Sequence, residues 1–168
     1  MTNKIIFLYV SFFGVGKIKV APGTCASFLT TIILFYFFHI TKISNLTILL
    51  SLITIFILSF YAVKAYIKNK DNKDPKEVVI DEVIGQSIPL YMYEVSHGIT
   101  KNYNEAMMYY LYIFILFRFF DIKKPFPVNF FDKKFKNSFG VIMDDVIAGF
   151  YVVLTLIIFM VIKSKLFA

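Results

Sequence analysis

The feature that most constrains this chain is the apolar region from Phe28 to Val63, broken only by HITKISN at 39 to 45. Each half is short for a bilayer span, and the second, Leu46 to Val63, just reaches the usual lower limit of about 18 residues. Together they predict a membrane hairpin with a small turn. VIAGFYVVLTLIIFMVI, 146 to 162, is a third segment of the same kind. A fourth, AMMYYLYIFILF at 106 to 117, runs for about 12 residues, a length that suits a buried or partly inserted helix. The 168 residues are 58% hydrophobic, too apolar for an ordinary soluble domain. The expectation is an all-α fold, a small polytopic helical membrane protein, with one domain over 1–168.

The net charge of +7 raises nucleic acid as a partner. The lysines flank apolar runs instead of forming a patch interleaved with polar residues, so the basic footprint of a nucleic-acid binder is missing. Their placement orients the chain instead. KAYIKNKDNKDPKE (64 to 77) and KKPFPVNFFDKKFK (123 to 136) are lysine-rich, whereas HITKISN and EVSHGITKNYNE are nearly neutral. The positive-inside rule places the two lysine-rich loops in the cytoplasm. Lys163 and Lys165 run against a simple odd-pass arrangement, so the number of crossings stays open.

Cys25 is the only cysteine, which excludes an internal disulfide and a cysteine-histidine zinc site. It also lacks the downstream arginine loop of a cysteine phosphatase, so apolar packing accounts for it. The N-terminal MTNKIIFLYVSFFGVG has no small-residue cleavage site after it and is expected to be retained.

Helix boundaries are marked in three places. In DPKEVVIDEVIG, Asp74 suits an N-cap, Pro75 the first helical position and Glu77 the return arm of a capping box; Pro89 should then limit how far that helix runs undisturbed. Asn104 can cap a second helix, which should stop near Lys124 because Pro125 follows. Ser138 can cap a third, carrying Asp144 and Asp145 in its second turn before entering the membrane.

Five of the eleven acids sit in three compact, mostly apolar settings: Asp81 with Glu82, Asp121, and Asp144 with Asp145. Burying a carboxylate there is costly unless a cation or hydrogen-bond donors compensate. A single such acid reads as an ion pair or a helix cap. Three groups on one side of the membrane instead favour a shared magnesium site, because oxygen ligands suit Mg²⁺ and no thiolate or imidazole set competes for a softer metal. Arg118, Asp121 and Lys124 follow an i, i+3, i+6 series, so Arg118 faces Asp121 with Lys124 a turn further on. Asp81 and Asp145 each have a glycine four residues later, Gly85 and Gly149, leaving room for another helix or a ligand head group.

GVGKIKVAPGTCAS, 14 to 27, is neither a Walker loop nor a dinucleotide fingerprint, since the required glycines are missing. Pro22 and Gly23 shape a turn, Thr24 or Ser27 can cap, and the free N–H groups of a helix start favour an anion. A capped helix start and a phosphate-binding one look alike at this level.

The ordered set of motifs resembles the phosphatidylglycerophosphatase A family of bacterial membrane lipid phosphatases. It comprises G-x-G followed by P-G-T-x-x-S (Gly14, Gly16, Pro22, Gly23, Thr24, Ser27) and D-E-x-x-G (Asp81, Glu82, Gly85). F-R-x-x-D-x-x-K-P-x-P follows (Phe117, Arg118, Asp121, Lys124, Pro125, Pro127), then G-x-x-x-D-D-x-x-A-G (Gly140, Asp144, Asp145, Ala148, Gly149). The resemblance implies an inner-membrane, multi-pass enzyme with its active site facing the cytoplasm. It would use Mg²⁺ to remove the terminal phosphate of phosphatidylglycerophosphate, giving phosphatidylglycerol. On that basis Asp81, Glu82, Asp121, Asp144 and Asp145 are the expected catalytic and metal-binding residues, and Thr24, Ser27, Arg118 and Lys124 the expected phosphate-binding ones. The chain departs from the family at Ala26 and at Asn137 with Ser138, where glycines are common.

Metal-assisted hydrolysis follows, with a carboxylate-held water attacking in line; an aspartyl-phosphate route is the alternative. His39 and His97 fall in the neutral loops, which argues against a histidine relay. The rival class is a small transporter with buried carboxylates. It would place acids along a mid-membrane path, whereas these lie near helix ends beside lysine-rich loops. A CDP-alcohol phosphotransferase would carry a longer D-x-x-D-G pattern, which is absent.

Overall fold

A computed structural model describes residues 3–97 and 102–166. The described residues are helical or irregular, with no strand among them. Seven α-helices follow one another: α1 (Asn3–Val10), α2 (Pro22–Phe35), α3 (Asn45–Ile67), α4 (Ile80–His97), α5 (Tyr103–Lys123), α6 (Val128–Lys134) and α7 (Ser138–Leu166). A 3₁₀ turn, Val15–Lys17, precedes α2, and a π-helical turn, Tyr36–Ile40, extends it.

Three helical stretches among the described residues are long and apolar enough to cross a membrane: Pro22–Ile40, Asn45–Ile67 and Ser138–Leu166. The first two form the expected hairpin. Ser44 caps the return helix, its hydroxyl accepting from the Thr47 N–H at 3.2 Å. The outer faces of all three helices remain apolar and exposed, with Phe28, Ile32, Leu50, Ile57, Phe150, Leu154 and Ile158 among their largest exposed side chains. Such a continuous surface is costly in water and matches the hydrocarbon of a bilayer. The chain is a membrane protein.

The fourth apolar segment lies within α5, whose 21 residues match the helix expected between Asn104 and Lys124 to within two residues. Its buried face, Ala106, Tyr110, Ile113 and Phe117, recurs at helical spacing, and the last three fill one of two apolar cores with Leu90 of α4 and Val152 of α7. The second core joins Val10, Val63, Val79, Ile84 and Ile142. It ties α1, α3 and the start of α4 to α7.

Several boundaries differ from those expected. The DPKEVV segment does not begin α4. Val78 N–H closes a turn on the Pro75 carbonyl at 2.9 Å, and Val79 N–H pairs with the Val10 carbonyl at 2.9 Å. Glu77 turns away to Lys70 and the Tyr66 hydroxyl. These tertiary bonds outcompete the local capping box, and the helix begins five residues after Pro75, at Ile80. α4 continues past Pro89 to His97. A proline leaves the carbonyl four residues back without its helical donor; here that carbonyl belongs to Gly85. A methyl at Gly149 would overlap this carbonyl, and one at Gly85 would meet the Asp145 carbonyl at 2.6 Å and the Phe117 ring at 2.8 Å. The two glycines are therefore a close helix–helix junction between α4 and α7, and Pro89 sits within it fully buried.

Asn102, not Asn104, is the N-cap of α5, and its side chain makes no capping bond. Asn137, not Ser138, caps α7, its Oδ1 accepting from the N–H groups of Phe139 at 3.0 Å and Gly140 at 3.1 Å. Asparagine at this position thus supplies a side-chain cap. α5 stops where Pro125 requires, with Lys124 in the left-handed region at φ 44° closing on the Phe120 carbonyl.

These helices run between two ends of the molecule. The segments at 64–77 and 123–136 both reach one end, where Asp74, Lys76 and Lys124 line a common cleft. His39 lies at the other, where its carbonyl accepts from the Tyr103 hydroxyl at the start of α5. Residues 98–101 of the second neutral loop lie outside the described residues. A continuous α7 carries the chain from the acidic pair near its start to a far end roughly 30 Å away at 1.5 Å per residue, which places Lys163 and Lys165 opposite the cleft.

Candidate functional site

The cleft has a volume of ≈ 380 Å³ and is built from four helix ends and two loops. Asp81 and Glu82 open α4, Arg118, Asp121 and Lys124 close α5, and Asp144 with Asp145 occupies the second turn of α7. Pro22 and Gly23 bring the N-terminus of α2 to the same wall. Every acid singled out in the sequence reaches this one space.

Within it the acids divide. Asp81, Glu82 and Asp145 each offer a carboxylate oxygen within 4.8 Å of the others. Asp81 and Asp145 are buried, and both Asp81 Oδ1 and Glu82 Oε2 are enclosed without a hydrogen-bond partner. Burial, and next the Glu82 charge, push the Asp81 carboxyl well above the usual carboxylate range. Burial raises Glu82 to about 7. Three crowded carboxylates, two of them with an orphaned oxygen, are stable as anions only with a cation among them. An all-oxygen donor set suits a hard divalent cation.

The other two acids are each matched by a base. Arg118 Nη1 lies 2.7 Å from Asp121 Oδ2, and Lys124 Nζ lies 2.8 Å from Asp144 Oδ2. Asp121 stands close enough for its charge to bear on Glu82, so it borders the trio without belonging to it. Arg118 Nη1 also approaches Ser27 Oγ at 3.4 Å, while its Nε is buried with no partner. An unsatisfied guanidinium N–H beside a carboxylate cluster calls for an acceptor such as a phosphate oxygen.

The α2 residues take unequal positions. Ser27 is fully buried, donates to the Gly23 carbonyl at 2.9 Å and supports Arg118 from beneath. Thr24 is in the first turn of α2 but does not line the cleft. Neither hydroxyl caps the helix: its N-cap is Ala21, in the left-handed region at φ 48°. Gly23 contributes by what it lacks. A side-chain carbon there would occupy the place of Glu82 Oε1, so the PGT turn lets α2 close directly over the acidic pair.

Three further charged residues line the cleft without standing out in the sequence as site residues: Lys19, Asp74 and Lys76. Asp74 had been assigned to a helix cap. The two lysines carry no signal of their own among so many others, and only the folding of their loops toward the cleft distinguishes them.

Comparison with known proteins bears on the same residues. The profile of the phosphatidylglycerophosphatase A family matches residues 8–160, which include every lining residue of the cleft. This chain belongs to the phosphatidylglycerophosphatase A family. A phosphatidylglycerophosphatase A of Haemophilus influenzae is 34% identical over 154 residues, covering 92% of this chain and 87% of the relative. The Escherichia coli protein of that name is 28% identical over 151 residues, covering 89% and 79%. A putative phosphatidylinositol-3-phosphatase of Bacteroides thetaiotaomicron is 34% identical over 140 residues, covering 83% of each chain. No solved structure matches the chain. As a family member it is an enzyme, a phosphatase.

Proposed function

We propose that the protein hydrolyses phosphatidylglycerophosphate to phosphatidylglycerol and inorganic phosphate at the cytoplasmic face of a bacterial inner membrane. The single observation that carries this reading is the meeting of the Asp81–Glu82–Asp145 cluster with Arg118 in one cleft of a membrane protein. Family membership supports it, as do the names of the Haemophilus influenzae and Escherichia coli relatives. Orientation rests on the lysine-rich segments around the cleft.

Asp81, Glu82 and Asp145 would hold magnesium, with Asp121 and Asp144 completing the acidic wall. When bound, the metal supplies positive charge to the phosphoryl oxygens. Arg118, through its unpartnered Nε, takes a phosphate oxygen and fixes the phosphoryl group against the wall. Lys124 adds a second positive charge beside it while remaining tied to Asp144. The N-terminal turn of α2 contributes the positive end of its dipole. A cleft carboxylate holds the attacking water in line with the P–O bond and takes its proton. The ester P–O bond then breaks, the lipid glycerol oxygen is protonated, and phosphate leaves. Water attack is favoured over a phospho-enzyme because the acids are packed among themselves and their bases.

The test is phosphate release by the purified protein in mixed micelles. The panel is phosphatidylglycerophosphate, phosphatidylinositol 3-phosphate, phosphatidic acid and lysophosphatidic acid. The reading expects phosphatidylglycerophosphate to give the highest kcat/KM. A higher value for another lipid phosphate would replace the substrate, and no release from any would remove the proposal.

A further inference from the structure

The cleft contains four cationic side chains, and they fall into two classes. Arg118 and Lys124, both from the end of α5, are committed to Asp121 and Asp144. Lys19 and Lys76 line the same cleft, yet both are exposed and neither makes an ion pair or side-chain hydrogen bond among the described residues. They come from opposite loops. Lys19 precedes the left-handed Ala21 that starts α2, and Lys76 lies in the turn closed by Pro75 and Val78.

The Lys76 loop is not a loose tether. Val79 N–H is bonded to the Val10 carbonyl, and Glu77, next to Lys76, is held by Tyr66 and Lys70. Lys73 is spent on the end of α3, donating to the carbonyls of Lys70 at 2.6 Å and Ile67 at 3.2 Å. Lys70 and Lys73 thus serve the fold, while Lys76 is left over and faces the cleft. A volume of ≈ 380 Å³ falls within the range of pockets for whole small-molecule groups, about 300–1,000 Å³, and exceeds what one phosphate beside the acids would fill.

We propose that Lys19 and Lys76 form a second anion subsite that holds the phosphodiester of a lipid bearing two phosphates. The acidic cluster and Arg118 then engage the terminal phosphomonoester. This inference rests on the lipid-phosphatase reading above and assigns the cleft's selectivity within it. Ammonium groups bind a phosphodiester as point charges without demanding fixed geometry. That suits two flexible side chains gripping a group that is held but not cleaved. A lipid with a single phosphomonoester has nothing to place between them.

The experiment uses the full-length protein in detergent micelles and the double variant Lys19→Gln/Lys76→Gln. Binding is read by calorimetry with two water-soluble probes. One is the deacylated headgroup of phosphatidylglycerophosphate, which carries two phosphates; the other is glycerol 3-phosphate, which carries one. The wild type should prefer the two-phosphate probe. The double variant should lose about 10-fold or more of its affinity for that probe, one charged contact being worth about a factor of ten, while its affinity for glycerol 3-phosphate changes by less than about twofold. Lys19→Arg/Lys76→Arg should restore the preference, and Lys68→Gln should leave it intact. A wild type that binds both probes alike overturns the subsite. So does a double variant that keeps the preference, or one that weakens toward both probes equally. Because the titrations are run in chelator, where the proposed reaction stops, a failure to release phosphate from the lipid would count against that reaction and leave the subsite to be decided here.

Discussion

Lys124 Nζ lies 2.8 Å from Asp144 Oδ2, so the residue that caps the end of α5 neutralises the first aspartate of the α7 pair. The pair joins the end of α5 to the second turn of α7 and leaves Asp145, not Asp144, to join Asp81 and Glu82. Lys124→Gln removes this charge and keeps most of the side chain. It should destabilise the protein by about 1–2 kcal/mol, reduced from the cost of a fully buried pair because Lys124 is partly exposed. It should also lower phosphate release about 10-fold or more. Thermal unfolding in detergent and a phosphate assay measure both. Unchanged activity in the folded variant would remove Lys124 from the site.

Gly23→Ala places a methyl where Glu82 Oε1 stands. The helix start is compatible with alanine, so the protein should insert and fold, but Glu82 must swing out of the cluster. Magnesium affinity should fall about 10-fold or more, following the loss of one ligand's orientation. Magnesium titration of phosphate release reports it, and wild-type behaviour would show that Glu82 has free space elsewhere.

Gly85→Ala and Gly149→Ala act on packing instead. Each inserts a methyl into the α4–α7 junction, against the Asp145 or Gly85 carbonyl. A cost of about 1–3 kcal/mol is expected for overpacking. Thermal unfolding should show both variants destabilised.

The spans and the acidic set were readable because each has a local cause. Apolar runs of helical length report burial in lipid whatever their neighbours do, and carboxylates in apolar surroundings report a need for compensation. What was not readable depended on distant partners. The capping box at Asp74 is a sound local signal, yet the Val10 carbonyl claims the Val79 N–H and moves the start of α4 to Ile80. Pro89 is a sound helix breaker, yet Gly85 and Gly149 build a junction around it. Within the site, the sequence could assemble the five acids but not divide them, because the bases that claim Asp121 and Asp144 do so through the fold. Lys19 and Lys76 were hidden among the other lysines for the same reason.

The raised pKa values of Asp81 and Glu82 set a pH dependence. Glu82 titrates near 7 in the folded metal-free protein and lower when unfolded. The folded state therefore binds more protons, and metal-free stability should fall as pH rises from about 5 toward 7. The same deprotonation creates the metal site, so magnesium should stabilise the protein more at pH 8 than at pH 6. Thermal unfolding at both pH values, with chelator or with magnesium, checks this. A magnesium effect that is equal at both, or larger at pH 6, would contradict it.

The central claim is that the acids at this cleft work as one magnesium-dependent unit on a lipid phosphate. The most direct measurement is magnesium-dependent phosphate release from phosphatidylglycerophosphate by the wild type and by Asp145→Asn, which keeps the shape of a trio member and removes its charge. The account predicts that wild-type release is abolished by chelation and restored by magnesium. It predicts that Asp145→Asn inserts and folds normally but falls about 100-fold or more at every magnesium concentration. Release by the wild type that persists in chelator, or an Asp145→Asn rate near the wild-type value, would contradict it.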